Sequence, residues 1–321
     1  MTRALWYVAP GQAVVRDEAT QQPGLNEVQV RTRYSALSRG TESLVFRGAV
    51  PGSEHDRMRA PFQAGAFPFP VKYGYAAVGT VIAGPADLQG RDVFALHPHQ
   101  STFVVPIDAV IALPANVPPR RAVLAANMET ALNALWDAAV LPGSRVAVIG
   151  AGTVGALVAY LAGHVAGTQV TVVDIRPERA AMARALGVDF AAPDAAPSDC
   201  DLVFHASATP EGLATALAAA GNEATIVELS WYGDRAVTAA LGGAFHSRRL
   251  RLVASQVGSV APSMRARWPH RRRLAQAIAL LTDPRLDVLL DPDVPFEDLP
   301  AALPALLGPG GVALCQVVAY S

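Results

Sequence analysis

The stretch VAVIGAGTVG, residues 146–155, joins an apolar run to three glycines in the spacing G-x-G-x-x-G. The three glycines are Gly150, Gly152 and Gly155. In such a fingerprint the first glycine makes a tight turn, the second lets the backbone approach a pyrophosphate, and the third allows a helix to pack closely on a strand. The first N–H groups of that helix face the phosphates. We therefore predict a strand, a glycine turn and a helix that bind a dinucleotide, with Thr153 and Val154 opening the helix.

A second apolar run, TQVTVVD (168–174), ends on an acid that suits the same ligand. Asp174 follows Gly155 by 19 residues, close to the spacing at which an acid accepts hydrogen bonds from the adenosine ribose. Its charge would repel a 2′-phosphate, so we predict NAD as the cofactor. Arg176 keeps NADP as the less favoured alternative, because a guanidinium binds phosphate well.

The rest of the sequence shows two different patterns of secondary-structure signals. Residues 1 to about 115 carry short runs rich in Val, Thr and aromatic residues between Pro and Gly, which is typical of an antiparallel β domain. From about residue 120, strand-like and helix-like segments alternate, which predicts a parallel sheet covered on both faces. The strand-like segments are 145–150, 168–174, 201–207, 223–230 and 250–258. We predict an α/β protein with domains at 1–118, 119–262 and 263–321.

Composition narrows the classes of partner. The chain has 321 residues, a formal net charge of −1 and 51% hydrophobic residues. This size suits two domains, and this charge gives no reason to expect nucleic acid or a membrane as partner. The two cysteines, Cys200 and Cys315, cannot build a disulfide framework or a four-thiolate zinc site. The first residues lack the pattern of a signal peptide, so we expect a cytoplasmic protein that acts on a small molecule.

Four further segments carry a resemblance to a known family. They are SRGTESLVFRG (38–48), KYGYAAVGTV (72–81), ANMETALNAL (126–135) and AFHSRRLRLVASQVGS (244–259). Together with the glycine turn, they make nearly the whole chain resemble the medium-chain dehydrogenase/reductase superfamily of the zinc alcohol dehydrogenase type. The resemblance implies a GroES-like β-barrel substrate domain, a doubly wound Rossmann domain and a tail that returns to the first domain. It also implies hydride transfer with a nicotinamide cofactor, and a homodimer joined through strands such as 250–256.

The chain departs from this family where the family binds its catalytic zinc. The ligand positions, a Cys, a His and a later Cys or Glu in the family, are Arg39, Tyr75 and about Ala126 here. Arg has no lone pair for a metal and Ala offers no ligand, so Tyr75 and the nearby Glu42 cannot complete a tetrahedral site. We therefore predict no zinc. Among zinc-free relatives, the SRGTE segment most resembles the bacteriochlorophyllide dehydrogenase branch, a match too unspecific to imply its substrate.

Without a metal, an arginine or a tyrosine can stabilise the substrate oxygen. We predict that Tyr75 donates to or accepts from this oxygen, and that Arg39 holds the oxyanion or lowers the pKa of Tyr75. Glu42 is the third residue of this predicted catalytic group. In the alternative, which the sequence leaves open, Arg39 pairs with Glu42 and Tyr75 fills the space of the lost zinc.

Two residues are further candidates for cofactor contacts. Thr130 matches a position that commonly lines the nicotinamide in the resembled superfamily. His205 ends an apolar strand, and we predict that it contacts the cofactor on its adenosine side.

Four residues are candidates for the substrate pocket, namely Glu129, Trp231, Tyr232 and His99. Each has a structural alternative. Glu129 can instead stabilise the start of a helix, and the two aromatic residues can pack at a domain interface. His99, in the sequence HPH with His97, can instead bond the backbone at a strand end. The arginine-rich run RARWPHRRR (265–273) reads as a solvated helix start, with a patch for an anionic group as the alternative.

Three functions fit these observations. The leading one is zinc-independent oxidoreduction between NAD(H) and an alcohol or ketone. The second is reduction of a quinone or enone, which needs hydride delivery and a proton donor but generally uses NADPH in the resembled superfamily. The third is a catalytically silent NAD-binding protein.

Overall fold

The computed structural model describes residues 1–308 and 310–321. These residues form two compact units. Unit 1 comprises 1–126 together with 278–321, and unit 2 comprises 127–277. Unit 1 is built on mainly antiparallel sheets and unit 2 on a parallel one, so the predicted α/β fold class is confirmed. None of the helices that the described residues form is long and apolar enough to span a membrane.

The bounds of the elements are as follows. The strands are β1 (Thr2–Ala9), β2 (Gln12–Glu18), β3 (Glu27–Leu37), β4 (Ala64–Gly65), β5 (Val71–Lys72), β6 (Ala77–Ala83), β7 (Asp92–Ala95), β8 (Thr102–Pro106), β9 (Val110–Ala112), β10 (Arg145–Ile149), β11 (Gln169–Val173), β12 (Asp189–Ala191), β13 (Cys200–His205), β14 (Ala220–Glu228), β15 (Arg251–Ala254), β16 (Val294–Pro295) and β17 (Gln316–Ala319). The α-helices are α1 (Arg39–Arg47), α2 (Pro119–Ala122), α3 (Ala125–Ala138), α4 (Thr153–Gly163), α5 (Arg179–Leu186), α6 (Pro210–Ala219), α7 (His270–Ala279) and α8 (Leu299–Leu307).

Unit 2 is organised by a six-stranded parallel sheet. The strand order is β12-β11-β10-β13-β14-β15, so the first strand, β10, is central. From β10 the chain continues through β11 and β12 to one edge of the sheet. It then crosses back to β13, on the other side of β10, and continues through β14 and β15 to the opposite edge. This is the doubly wound arrangement, and ligands of such sheets bind at the carboxyl ends of the strands where the order reverses, here β10 and β13. The predicted strands at 145–150 and 201–207 are confirmed as these two central strands.

The glycine turn after β10 is shaped by close backbone contacts. Gly150 has φ +105°, and a Cβ there would lie 2.7 Å from the N atom of Ser207. A Cβ on Gly155 would lie 1.9 Å from the carbonyl oxygen of Gly150, so only glycine lets α4 pack this closely. Gly152 differs, because a Cβ there would meet no atom within 4 Å.

Unit 1 contains a seven-stranded and a four-stranded sheet. In the larger one β16-β17-β3-β6-β7-β9 follow in order and β8 also pairs with β3; the smaller has the order β2-β1-β5-β4. The C-terminal strand β17 lies antiparallel to β3, with Val318 opposite Ser35. The apolar side chains of β3, β6, β7 and β8 form a buried core that includes Val30, Val93 and Phe103.

Three elements of unit 1 lie outside the sequence predictions. Strands β1 and β2 form a hairpin around Pro10 and Gly11, a turn signal that the sequence carries. Helix α1 interrupts the region interpreted as β only. Its start is stabilised because Glu42 accepts a hydrogen bond from the backbone N–H of Ser38 at 2.8 Å, and it ends at Gly48 with φ +70°.

Two alanine substitutions separate the tight glycine from the open one. We expect Gly155→Ala to lower the free energy of unfolding by about 1–3 kcal/mol, because its Cβ overlaps the Gly150 carbonyl. Gly152→Ala should stay within about 0.5 kcal/mol of the wild type, since its φ of −74° suits alanine and its Cβ has room. Urea denaturation of both variants measures the difference. Equal stability of the two would contradict this account of the turn.

Candidate functional site

In unit 2, the acid Asp174 lies directly beside the glycine turn. It follows β11, and its carboxylate accepts hydrogen bonds from the backbone N–H of Ala151 at 2.7 Å and of Arg176 at 2.9 Å. Helix α4 starts at Thr153. Its N-cap residue is Gly152, so no side-chain hydrogen bond caps the start of the helix. An uncapped helix start, an open glycine and a partly exposed acid are what a dinucleotide requires. The residues present therefore fit a pyrophosphate at the turn and a ribose at the acid.

A polar network ties the ends of β13 and β14 together. His205 ends β13 and is completely buried. Its Nδ1 donates to Oε2 of Glu228, the last residue of β14, at 2.8 Å, and its Nε2 lies 2.7 Å from Oγ of Ser207. The same carboxylate accepts from the N–H of Ser230 at 2.8 Å and from the hydroxyl of Tyr232 at 3.1 Å. The network thus fixes two neighbouring strand ends at the edge where ligands bind.

The pKa of Glu228 reflects this network. Burial alone would raise it, but the hydrogen bond and the charge of His205, together with the hydrogen bonds from Ser230, outweigh burial and hold the pKa of this carboxyl below its usual value. Burial, the charge of Glu228 and the hydrogen bond to it raise the pKa of the Tyr232 phenol, so Tyr232 is a neutral donor. The network therefore contains one ionised carboxylate at neutral pH.

The structure corrects the predicted role of His205. Asp174 follows β11, whereas His205 ends β13, on the opposite side of β10. The imidazole is also completely buried and bonded at both nitrogens. The prediction of a contact on the adenosine side is therefore wrong. Sequence reasoning missed the partners Glu228, which ends β14, and Ser207, which follows β13, because strand order decides which strand ends are neighbours.

A second buried pair occupies unit 2. Arg273, only 1% exposed, donates to Oε1 of Glu129 at 3.0 Å and to Oδ1 of Asn133 at 2.5 Å. It also donates to the backbone carbonyls of Ser259 and Val257. Glu129, predicted to line the substrate pocket, is instead 5% exposed and engaged inside the unit. The last arginine of the run 265–273 is thus a core residue and is not part of a solvated helix start.

The remaining predicted residues of unit 2 are more accessible. Thr130 on α3, Trp231 and Tyr232 are all partly exposed. Only Tyr232 of the two aromatic residues joins the network, through its bond to Glu228. Trp231 follows β14 at the same sheet edge.

In unit 1, Tyr75 is held beside the start of α1. Burial and the charge of Glu42 raise the pKa of the Tyr75 phenol to about 12, and hydrogen bonds with the side chains of Ser38 and Thr41 offset only part of this rise. The side chain remains partly exposed. Tyr75 is therefore protonated over the physiological range and can donate a hydrogen bond to a substrate oxygen.

Arg39 is the first residue of α1, and its Nη2 donates to the carbonyl oxygen of Gly308 at 3.2 Å. The charges of Glu42 and Cys315 both raise the pKa of Tyr75. The role of Arg39 beside Tyr75 stays a prediction.

Glu42 and His99 are buried partners. Glu42 is fully buried, and its Oε2 accepts from the Tyr7 hydroxyl at 2.8 Å and from Nε2 of His99 at 3.0 Å. The other ring nitrogen of His99 lies 2.7 Å from Oγ of Ser35. Gly74 allows this approach, because a Cβ there would lie 2.8 Å from the His99 ring.

The predicted roles of these two side chains need correction. Since neither Glu42 nor His99 reaches the surface of unit 1, Glu42 cannot touch a substrate and His99 does not line a pocket. Among the partners of the Glu42 carboxylate are the hydroxyl of Tyr7 and the ring of His99. The alternative pairing of Glu42 with Arg39 stays a prediction. Both residues support the elements around Tyr75.

His97 turns away from His99 and into an aromatic stack. Its ring lies 3.9 Å from that of Phe103 with 10° between the planes, and Phe62 stacks at 5.6 Å. Burial lowers the pKa of His97 to about 3, and its Nδ1 donates to the Pro98 carbonyl at 2.9 Å. His97 and His99 therefore have separate partners. Within residues 1–308 and 310–321, no three His, Cys, Asp or Glu side chains come together as metal ligands.

Comparisons with known proteins agree with this fold. No family model matches the chain. D-guloside 3-dehydrogenase of Escherichia coli strain K12 is 26% identical over 306 residues, which cover 86% of this chain and 87% of that protein.

Solved structures match over almost the full length. A provisionally described zinc-binding dehydrogenase of Sinorhizobium meliloti 1021, bound to NADP, has a TM-score of 0.79 at 17% identity and covers 99% of each chain. A short chain alcohol dehydrogenase of Escherichia coli CFT073, in complex with NADH, has a TM-score of 0.78 at 16% identity, also over 99% of each chain. These likenesses confirm the predicted fold of the zinc-type alcohol dehydrogenases. Proteins named as dehydrogenases occur in both comparisons, and this agrees with the predicted oxidoreductase activity.

The buried His97 predicts an acid-sensitive stability. Its pKa is about 3 in the folded chain and near 6.5 when unfolded, so the unfolded chain binds more protons between these pH values. Stability should therefore fall as pH drops through this window, by up to about 1.4 kcal/mol per pH unit from this residue. We expect His97→Phe, which keeps the stack, to reduce that slope in denaturation curves. His246→Phe, at an exposed histidine, is the control; equal slopes for wild type and His97→Phe would refute the assignment.

Proposed function

We propose that the chain is an NAD-dependent, zinc-independent oxidoreductase that interconverts a secondary alcohol and its ketone. The observation that carries this proposal is the glycine turn at the centre of the doubly wound sheet, with its uncapped helix and adjacent acid. The fold shared with dehydrogenases supports the same reaction class.

The cofactor would be held by residues of unit 2 in a fixed order. Gly150, Gly152 and the helix start at Thr153 and Val154 would bind the pyrophosphate through backbone N–H groups. Asp174 would accept hydrogen bonds from the adenosine ribose, and Thr130 would contact the nicotinamide half. When bound, the nicotinamide supplies a carbon that accepts or returns a hydride.

Tyr75 is the residue proposed to act on the substrate oxygen. As a protonated phenol it would donate a hydrogen bond to a ketone oxygen, and the hydroxyls of Ser38 and Thr41 would hold its direction. Glu42 would serve as a positioning residue, since it is buried behind α1. Arg39 would support the substrate oxyanion, although its observed partner is the Gly308 carbonyl.

A zinc-independent reaction is proposed from the side chains at the family's ligand positions. Arg39 and Ala126 offer no lone pair suited to zinc. His97 and His99 are hydrogen-bonded to the Pro98 carbonyl and to Glu42, respectively. The similarity to D-guloside 3-dehydrogenase supports a ring hydroxyl of a sugar derivative as one substrate to assay. A homodimer is proposed through β15, an edge strand whose four residues are all exposed.

Replacement of Tyr75 tests the role of its hydroxyl. We expect Tyr75→Phe to lower kcat by at least about a hundredfold with NAD and a secondary alcohol, because the substrate oxygen loses its donor. Tyr73→Phe is the matched control, since Tyr73 is a buried neighbour whose ring contacts Tyr75. The rate of absorbance change at 340 nm, which follows the reduced cofactor, measures turnover. Near-wild-type turnover of Tyr75→Phe would contradict the role, and turnover of enones but not alcohols would favour a conjugated-bond reductase.

Replacement of Asp174 tests the choice of cofactor. We expect Asp174→Asn to weaken NAD binding by about ten- to a hundredfold, because charged hydrogen bonds to the ribose are lost. NADP should lose far less, since repulsion of its 2′-phosphate is removed as well. Isothermal titration of both nucleotides measures the effect, with the exposed Asp194→Asn as control. If the wild type bound neither nucleotide, the proposed function would be wrong.

A further inference from the structure

A loop at the carboxyl edge of the unit 2 sheet is fixed by buried polar contacts. The loop covers residues 255–261 and follows β15, an edge strand of the parallel sheet. Its two ends, Ser255 and Ala261, are buried, whereas Gln256 and Gly258 between them are exposed. The loop is therefore anchored at both ends and open to solvent in its middle.

This loop belongs to the half of the sheet that lies away from Asp174. The strand order places β11 and β12 on one side of β10, and β13, β14 and β15 on the other. A sheet of this order binds a dinucleotide across the carboxyl ends of its strands, with one mononucleotide on each half. Asp174 follows β11 and is assigned to the adenosine ribose. The nicotinamide mononucleotide therefore faces the half that includes β15 and the loop after it.

Helix α3 holds the two ends of the loop through one of its faces. Glu129, Asn133 and Asp137 follow one another at intervals of four residues, which places their side chains on the same side of the helix. Oδ2 of Asp137 accepts from the hydroxyl of Ser255 at 2.7 Å. Oδ1 of Asn133 accepts from the backbone N–H of Ala261 at 3.1 Å. Asn133 also donates to Asp137 at 3.0 Å, so the two anchors are linked.

The middle of the loop is held by the buried side chain of Arg273. Its Nη1 donates to the carbonyl oxygen of Ser259 at 3.2 Å, and its Nη2 donates to the carbonyl oxygen of Val257. The same guanidinium donates to Glu129 at 3.0 Å and to Asn133 at 2.5 Å. Because the donors of a guanidinium are fixed in one plane, this single group sets the distance between the loop and α3.

The backbone of the loop is engaged along this inner side. Nε2 of His270 donates to the carbonyl oxygen of Gly258 at 3.1 Å, so three successive carbonyl groups, at 257, 258 and 259, bind basic side chains. Within the loop, the N–H of Ser259 donates to the carbonyl oxygen of Gln256 at 3.2 Å. An apolar side chain in place of Arg273 could fill its volume, but it would release two of the three carbonyl groups and with them the shape of the loop.

We propose that Arg273 is a positioning residue for the nicotinamide half of the cofactor, because it holds loop 255–261 in the shape that this half contacts. Since it is buried, Arg273 acts through the loop and touches neither cofactor nor substrate. The inference rests on the proposed function, because it requires a nicotinamide cofactor in unit 2. Loss of the guanidinium should weaken the binding of the nicotinamide and spare the adenosine half, whose groups lie on the other side of the sheet.

Equilibrium binding of two ligands to purified protein separates positioning from a general effect on the fold. ADP-ribose matches NADH except that the nicotinamide ring is absent, so the ratio of the two Kd values measures what this ring contributes. We expect Arg273→Met to raise the Kd of NADH about five- to tenfold, because contacts equivalent to about one hydrogen bond are lost. The Kd of ADP-ribose should change by less than about twofold, since its binding groups are distant from the loop.

The matched control is Arg271→Met, which removes an arginine from an exposed position of the same helix. It should leave both Kd values unchanged. If Arg273→Met raised the two Kd values equally, or changed neither, the proposal would be overturned.

A milder variant keeps the test decisive if Arg273→Met does not fold. Ser255→Ala removes the hydroxyl that ties the start of the loop to Asp137, and it should raise the Kd of NADH about threefold while that of ADP-ribose stays unchanged. An equal effect on both ligands, or no effect, would overturn the proposal. Wild-type protein that bound both ligands with equal affinity would overturn this inference alone, whereas wild-type protein that bound neither would refute the proposed function.

Discussion

The contact between Gly155 and the carbonyl oxygen of Gly150 is the constraint on which the arrangement of unit 2 depends. Because no Cβ intervenes, α4 approaches the end of β10 at backbone distance, and its first N–H groups open at the carboxyl edge of the sheet. The same turn brings Asp174 within hydrogen-bond distance of Ala151. The phosphate-binding and ribose-binding groups are therefore consequences of one close packing contact.

Buried carboxylates are stabilised by different kinds of partner in the two units. In unit 1, Glu42 is satisfied by a tyrosine, a histidine and a backbone N–H, and this support fixes α1 beside Tyr75. In unit 2, Arg273 neutralises Glu129 and draws two loop carbonyls inward. Also in unit 2, Glu228 is held at the ends of two neighbouring strands by hydrogen bonds from His205, Tyr232 and Ser230.

The sequence predicted the parts whose structure depends on local pattern. The buried runs at β10, β11 and β13, and the turn between β10 and α4, follow from apolar runs and glycine spacing over a few residues. It did not predict what depends on distant neighbours. The arginine-rich run around Arg273 suggests a solvated side chain, but α3 supplies buried partners for it. The pKa of Tyr75 is raised in part by the charge of Glu42, which lies 33 residues earlier in the sequence. Helix α1 was missed because its apolar residues also suit a strand.

Unit 1 consists of two separate segments of the chain, and this has a consequence for folding during synthesis. Its central strand β3 needs the partner β17, yet the whole of unit 2 is translated between them. Unit 2 has its own continuous segment of chain and its own buried core, so it can fold on the ribosome while the amino-terminal sheet still lacks β16 and β17. Until β17 is made, residues 34–37 of β3 lack this strand partner, and an unpaired strand edge is prone to pair with another chain.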